Sequence, residues 1–127
     1  MKKLGLLVGS FNPFHIGHQF VTEQALELFD EVVVVQATNF KKESSGYDIY
    51  RVSAYNPTVN VRAIPNCTIG YIVHSVELDY PNHDVVLVRG IRDSTDMIQE
   101  RNYITWIRAM EVENKVIHIL TPPELEH

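Results

Sequence analysis

The chain has 127 residues, 45% of them apolar and 21% charged, with a formal net charge of −5. This is the composition of a globular domain with a real core, and its acidic balance excludes a general nucleic-acid binder while leaving room for one small phosphorylated ligand in a local basic pocket. One cysteine, Cys67, rules out an internal disulfide and fits a reducing compartment, and no stretch nears the roughly 20 apolar residues of a membrane span, so a cytoplasmic protein without membrane or nucleic-acid partners is expected.

Two lysines precede a five-residue apolar run, Leu4 to Val8, too short for a signal-peptide core. The run predicts a first strand over residues 3–9, buried on both faces as in a parallel sheet. Ten residues follow, Gly9-Ser10-Phe11-Asn12-Pro13-Phe14-His15-Ile16-Gly17-His18, and then an amphipathic helix from Gln19 whose apolar stripe is Val21, Ala25, Leu28 and Phe29. Strand, glycine-containing turn and helix start make a natural phosphate seat, because a helix start offers unpaired N–H groups and the positive end of its dipole.

Val32 to Val35 is the second strand, β-branched and unalternating. Thr38 to Tyr47 is polar and reads as a loop carrying Lys41 and Lys42. Asp48 can cap a short helix to about Tyr55, stopped by Asn56-Pro57. Val59, Val61 and Ile64 form a short third strand that an edge position would suit. Thr68 caps a helix over 69–79, and Tyr80-Pro81-Asn82-His83 is a turn. Val85 to Val88 is the fourth strand, ending in Arg89-Gly90-Ile91-Arg92. Ser94 caps a long helix to about Met110, with Met97, Ile104, Ile107 and Met110 as core candidates, and Val116 to Leu120 is the fifth strand.

Strands alternate with helices, so the expected fold is an α/β, Rossmann-like parallel sheet of five strands with helices on both faces. In such sheets ligands bind beyond the carboxyl ends of the strands. Three polar segments follow strand ends and can therefore converge: Ser10 to His18, Lys41 with Lys42, and Arg89 to Arg92.

Each segment has a functional and a structural reading. His15 and His18 can both face a phosphate from the first helical turn, or one can cap and the other pack; the turn context favours the phosphate for His18 and leaves His15 open. The two histidines and distant Cys67 lack a complete zinc-ligand spacing, so no metal site is assigned. Arg89 and Arg92 can fork onto two phosphates, with Gly90 permitting close backbone approach, or can pair with Asp93, Asp96 or Glu100. Asp96 and Glu100 suit orienting those arginines or bonding a ribose. Tyr103 and Trp106 suit packing or subunit contacts. Phosphate loops of the G-x-x-x-x-G-K-[ST] type, G-x-G-x-x-G after the first strand and G-x-S-x-G are all absent from the sequence.

The ten residues Gly9 to His18 resemble the (T/H)xGH signature of the nucleotidyltransferase superfamily. Arg89-Gly90-Ile91-Arg92 with Asp96 and Glu100 resembles the RG(L/I)R…D…E segment of phosphopantetheine adenylyltransferase. Asn39-Phe40-Lys41-Lys42 is similar to that family's N-P-x-K-K loop, one residue shorter, and Arg51-Val52 and Gly70-Tyr71-Ile72-Val73 are similar to two further segments. The resemblance implies transfer of AMP from ATP to 4′-phosphopantetheine, giving dephospho-coenzyme A and pyrophosphate, by direct in-line attack. It implies that His18 stabilises charge on the α-phosphate. Ser10 and the Phe11 backbone would hold ATP and the acceptor phosphate, with Lys41 or Lys42 and Arg89 on that phosphate. Gly90, Ile91, Arg92 and Glu100 would contact ATP, and Ile72 would line the pantetheine arm. It implies Mg²⁺ with ATP and a hexameric homo-oligomer. The sequence departs from the family at Phe40, across most of 43–83, and at Thr121 to His127, which ends where an I-S-S-S-x-x-[RK] helix start is expected; the reading is one nucleotidyltransferase domain over 1–127 without that helix. The alternatives are a nicotinamide or nicotinate mononucleotide adenylyltransferase, which shares the first motif, and a non-catalytic nucleotide-binding relative.

Overall fold

The computed structural model describes residues 1–9, 11, 15–38, 47–65 and 67–122. Its elements run β1 (Lys2–Gly9), α1 (Ile16–Leu28), β2 (Glu31–Thr38), α2 (Tyr47–Tyr55), β3 (Asn60–Pro65), α3 (Ile69–Asp79), β4 (His83–Ile91), α4 (Ser94–Ala109) and β5 (Val116–Leu120). The strands form one parallel sheet in the order β3-β2-β1-β4-β5. This is the expected α/β fold, with β3 at an edge.

Strand alternation divides the apolar residues between two cores. Leu4, Leu6, Val33, Val35 and Leu87 face α3 and α4, where Ile72, Val76 and Ile107 meet them. Leu7, Val32, Val34 and Val88 face α1 and α2, where Val21, Ala25 and Val52 meet them. The unalternating valines of β2 are thus explained: each face of a central parallel strand is covered. Glycine at position 5 is required by α1's end, since a Cβ there would stand 2.7 Å from the Phe29 ring.

A two-way amide bridge ties α2 to α1. Gln19 Nε2 donates to Asn56 Oδ1 at 2.9 Å, and Asn56 Nδ2 donates back to Gln19 Oε1 at 2.8 Å and to the Val52 carbonyl at 2.9 Å. Asn56 is only 3% exposed, so the bridge satisfies an amide that water cannot reach.

Four local expectations change. Helix α1 begins at Ile16, which places His18 inside its first turn. Leu28 is 61% exposed and does not belong to the α1 apolar stripe. The cap of α4 is Asp93, whose Oδ1 accepts the Asp96 N–H at 3.0 Å, and not Ser94; a carboxylate one residue earlier is an equally good acceptor. Met97, one residue after Asp96, is 44% exposed because the α4 stripe that meets the sheet runs through Ile107.

Candidate active site

The sheet order reverses between β1 and β4, so the segments that leave these two neighbours diverge to opposite faces and open a crevice. The start of α1 forms one wall. His15 is its N-cap, and His15 Nδ1 accepts the Gly17 N–H at 3.1 Å. His18 reaches back, and its Nδ1 accepts the His15 N–H at 3.2 Å. Two imidazoles thereby form the reciprocal cap that Ser or Thr with Glu more often provides. Their rings stack with centroids 3.7 Å apart. Because both Nδ1 atoms accept, each neutral ring carries its proton on Nε2 and is a donor there.

Phe11 fixes the second side of His18. Its ring meets His18 edge-on at 5.1 Å, and its backbone takes a left-handed φ of 46°, a conformation that costs energy for a bulky residue. The Phe11 side chain is 7% exposed and lies 3.2 Å from where a Cβ on Gly9 would be. Burial, then the neighbouring His15 and Arg92, lower the His18 pKa to about 4, so the ring is neutral at pH 7.

The other wall is the end of β4 and the start of α4. Both arginines are paired. Arg92 donates its backbone N–H and its Nε to Asp96 Oδ2 at 2.8 and 3.0 Å. Arg89 grips Glu100 at two points, Nε to Oε2 at 3.2 Å and Nη2 to Oε1 at 2.8 Å, and Nη1 donates to the Val8 carbonyl at 3.3 Å. The Arg89 guanidinium also lies over the Tyr103 ring, 4.1 Å from its centroid. Burial would lower the Arg89 pKa, but the Glu100 hydrogen bond and charge more than offset it and hold it above its ordinary value. Burial likewise pushes Glu100 up, and Arg89 together with His118 holds it below the usual carboxylate range.

Two cavities adjoin across these walls. One, of about 390 Å³, is lined by His15, His18, Arg92, Asp96 and Glu100 among others. The second, of about 290 Å³, is lined by Gly9, Phe11, Val88 and Arg89 among others. His18, Val21 and Gly90 border both. His18 therefore stands between two compartments, one with paired charges and one more apolar with a guanidinium.

The structure thus brings together Phe11, His18, Arg89, Gly90, Arg92 and Glu100. Ile91 ends β4 alongside them, its carbonyl accepting the Thr121 N–H at 2.8 Å. Gly90 borders both cavities, and a Cβ there would lie 2.9 Å from Val21 Cγ2, so α1 also approaches it closely. Ile72 is corrected. It is 1% exposed in the core between α3 and the sheet and lines neither cavity, because its helix position points inward. Ser10, Lys41 and Lys42 lie outside the described residues. Tyr103, assigned to packing, stacks on Arg89. His118 joins them from outside the three expected segments, a histidine that is a visible anomaly in the apolar strand Val116 to Leu120; its Nε2 lies 3.0 Å from Glu100 Oε2.

Among the described residues no group of three or more His, Cys, Asp or Glu is arranged to hold a metal ion. The two carboxylates of the crevice, Asp96 and Glu100, are taken by arginines. The described donor set therefore does not fit a resident magnesium site. Among the described residues no helix is long and apolar enough to cross a membrane.

Comparison with known proteins agrees with this architecture. Residues 6–118 match the family described as cytidylyltransferase-like. A phosphopantetheine adenylyltransferase of Porphyromonas gingivalis is 34% identical over 106 residues, covering 79% of this chain and 65% of that protein. The chain thus spans a little under two thirds of that relative's length. A lipopolysaccharide core biosynthesis protein from Thermoplasma volcanium superposes with a TM-score of 0.68 at 18% identity, over 96% of this chain and 99% of that one. A bifunctional NMN adenylyltransferase/ADP ribose pyrophosphatase from Francisella tularensis does so with a TM-score of 0.62 at 19% identity, over 94% of this chain and 38% of that one, and likewise shares the fold. With its sheet reversal at β1 and β4, its histidine-capped α1 and its match over residues 6–118, the chain belongs to the cytidylyltransferase-like family of nucleotidyltransferases.

Proposed function

We propose that the chain transfers AMP from ATP to 4′-phosphopantetheine, releasing pyrophosphate and leaving dephospho-coenzyme A. The observation that carries this reading is the placement of His18 on the boundary of two cavities, as a neutral donor at a helix start. A transfer between two bound molecules needs two compartments meeting at the reacting group. ATP suits the cavity of Arg92, Asp96 and Glu100, and the phosphorylated acceptor suits that of Phe11 and Arg89. The P. gingivalis relative carries the same activity in its name.

The chemistry needs no covalent intermediate on the chain. An acceptor phosphate oxygen attacks the α-phosphorus in line, the bond to the bridging oxygen breaks, and pyrophosphate leaves with that electron pair. The site contributes positioning and charge stabilisation. His18 Nε2–H donates to a non-bridging α-phosphate oxygen as negative charge accumulates, and the α1 dipole acts in the same direction. Arg89 bears on the acceptor phosphate. Three of its five N–H groups are already given to Glu100 and Val8, so the remaining Nη hydrogens are pre-aimed. Arg92 supplies a further positive charge beside ATP. Ser10 and Lys41 or Lys42 join the phosphate contacts. Mg²⁺ bound to the ATP phosphates would enter with the substrate and would supply neutralisation of their charge. The reaction is cytoplasmic, and the exposed Met97, Ile98 and Trp106 of α4 offer apolar surface for a homo-oligomer, by resemblance a hexamer.

The test is pyrophosphate release with ATP, Mg²⁺ and each of several phosphorylated acceptors. Release with phosphopantetheine, abolished by His18→Ala with the fold intact, is expected. Turnover of nicotinamide or nicotinate mononucleotide in its place would assign the pyridine-nucleotide reaction. ATP binding with no release from any acceptor would assign a binding module.

A further inference from the structure

Arg89 and His118 are direct partners in the β4–β5 register, and their side chains meet at Glu100 of α4. The two share one carboxylate oxygen: Glu100 Oε2 accepts Arg89 Nε at 3.2 Å and faces His118 Nε2 at 3.0 Å. His118 itself is half-buried and lines neither of the two cavities.

We propose that His118 is a positioning residue for Arg89, holding the Glu100 carboxylate from behind so that the guanidinium stays aimed into the 290 Å³ cavity. The inference rests on the transferase reading for its substrate class, a phosphomonoester acceptor. The physical need is clear. A glutamate on a helix has three rotatable side-chain bonds, and an arginine four, so a two-point contact between them can rock as a unit. Three further contacts stop that motion: the Val8 carbonyl on Nη1, the Tyr103 ring beneath the guanidinium, and His118 on Oε2. Among the described residues only the last acts on the carboxylate. Replacing His118 by an apolar residue leaves Oε2, among the described residues, with Arg89 Nε as its remaining donor and frees the pair to turn. The charged and titratable groups that face His118 are Glu100 from α4 and, through it, Arg89 from β4 and Tyr103 from α4. Burial pushes the Glu100 pKa up, but Arg89 and then His118 hold it below the usual carboxylate range, which keeps the carboxylate ionised and able to hold both partners.

The experiment compares His118→Leu with His118→Gln, whose amide nitrogen can replace Nε2 as a donor. In the full chain, His118→Leu is expected to raise KM for the phosphorylated acceptor by about ten-fold and KM for ATP, whose cavity Glu100 also lines, by a smaller factor of about three, while kcat stays within about two-fold, and His118→Gln is expected to restore most of the loss. Equal damage to both KM values and kcat, or no rescue by Gln, would show a structural role only. A second measurement needs no turnover. The Arg89 Nε–H resonance, identified by its loss in Arg89→Lys, should be slowly exchanging in the wild type and His118→Gln and fast in His118→Leu. If the wild type releases no pyrophosphate from any acceptor, the transferase reading fails, and this resonance alone decides the positioning. An unchanged resonance in His118→Leu overturns the proposal.

Discussion

Val21 Cγ2 occupies the space that a side chain at position 90 would need, 2.9 Å from the site of a Cβ. Helix α1 is seated against the end of β4 by this missing methyl group. Gly90→Ala must push α1 outward or strain β4, at a cost of about 1–3 kcal/mol in stability. Because Val21 and His18 are on the same helix and border both cavities, the displacement also moves His18. Urea denaturation and ATP titration of Gly90→Ala should show both losses together, whereas a substitution on the exposed face of α1, such as Glu23→Ala, should show neither.

The depressed pKa of His18 makes stability depend on pH in a stated direction. Folding lowers the pKa from 6.5 to about 4, so the unfolded chain binds the proton more tightly. Stability is therefore complete above about pH 6.5 and falls as pH drops toward 4, by on the order of 2 kcal/mol after discounting for partial exposure. His18→Asn keeps an acceptor near Nδ1 and does not titrate. Denaturation midpoints of the two proteins should converge over that window, and parallel curves would contradict the assignment.

Glu100 has the same sign and a lower window. Its folded pKa lies below the ordinary carboxylate value, so its stabilising contribution is present above the unfolded pKa and is lost as pH falls through the folded one. Glu100→Gln removes the charge from a residue only 8% exposed and leaves Arg89 half-buried without its counter-ion. A loss of about 2–4 kcal/mol at pH 7 is expected, and it should shrink in acid as the wild-type carboxylate is itself neutralised.

His15 acts through the backbone of α1. His15→Ala removes the acceptor for Gly17 N–H and the ring that stacks on His18, and should cost about 0.5–2 kcal/mol. His15→Asn places an oxygen near the position of Nδ1 and should recover the capping part. Thermal denaturation of the three proteins checks the order wild type, Asn, Ala.

The Gln19–Asn56 bridge predicts non-additivity. Either Asn56→Leu or Gln19→Leu strands one amide, and at the buried Asn56 end this costs about 1–3 kcal/mol. The double variant leaves no stranded partner, so its loss should be smaller than the sum of the two. Additive losses in a double-mutant cycle would show that the two amides do not depend on each other.

The sheet was legible from the runs at Leu4, Val32 and Val85 because strands covered on both faces leave continuous apolar stretches. Convergence of Phe11, His15 and His18 with Arg89 and Arg92 was legible too, since both segments follow strand ends. What side chains do within a turn was less so. The Asp93 cap competes with Ser94 one residue away, and only backbone geometry separates them. The pairing of Arg89 with Glu100 was open because each arginine had three acidic neighbours in sequence. Ile72 matched a segment of a family while its helix turned it to the core. The role of His118 is not legible because its register neighbour Arg89 lies on another strand and its hydrogen-bond partner Glu100 on a helix, and both are tertiary facts that one chain's pattern does not carry.

The hydrogen bond from Arg89 to the Val8 carbonyl spans 81 positions in sequence. The crevice therefore has no precursor in either half of the chain: a nascent polypeptide that has made β1 and α1 owns a capped helix start but no second wall. Loop closure over such a distance comes late, after local structure has formed. Ligand affinity should accordingly appear in one step with β4 docking during refolding, and nucleotide would select for completed molecules over partly folded ones.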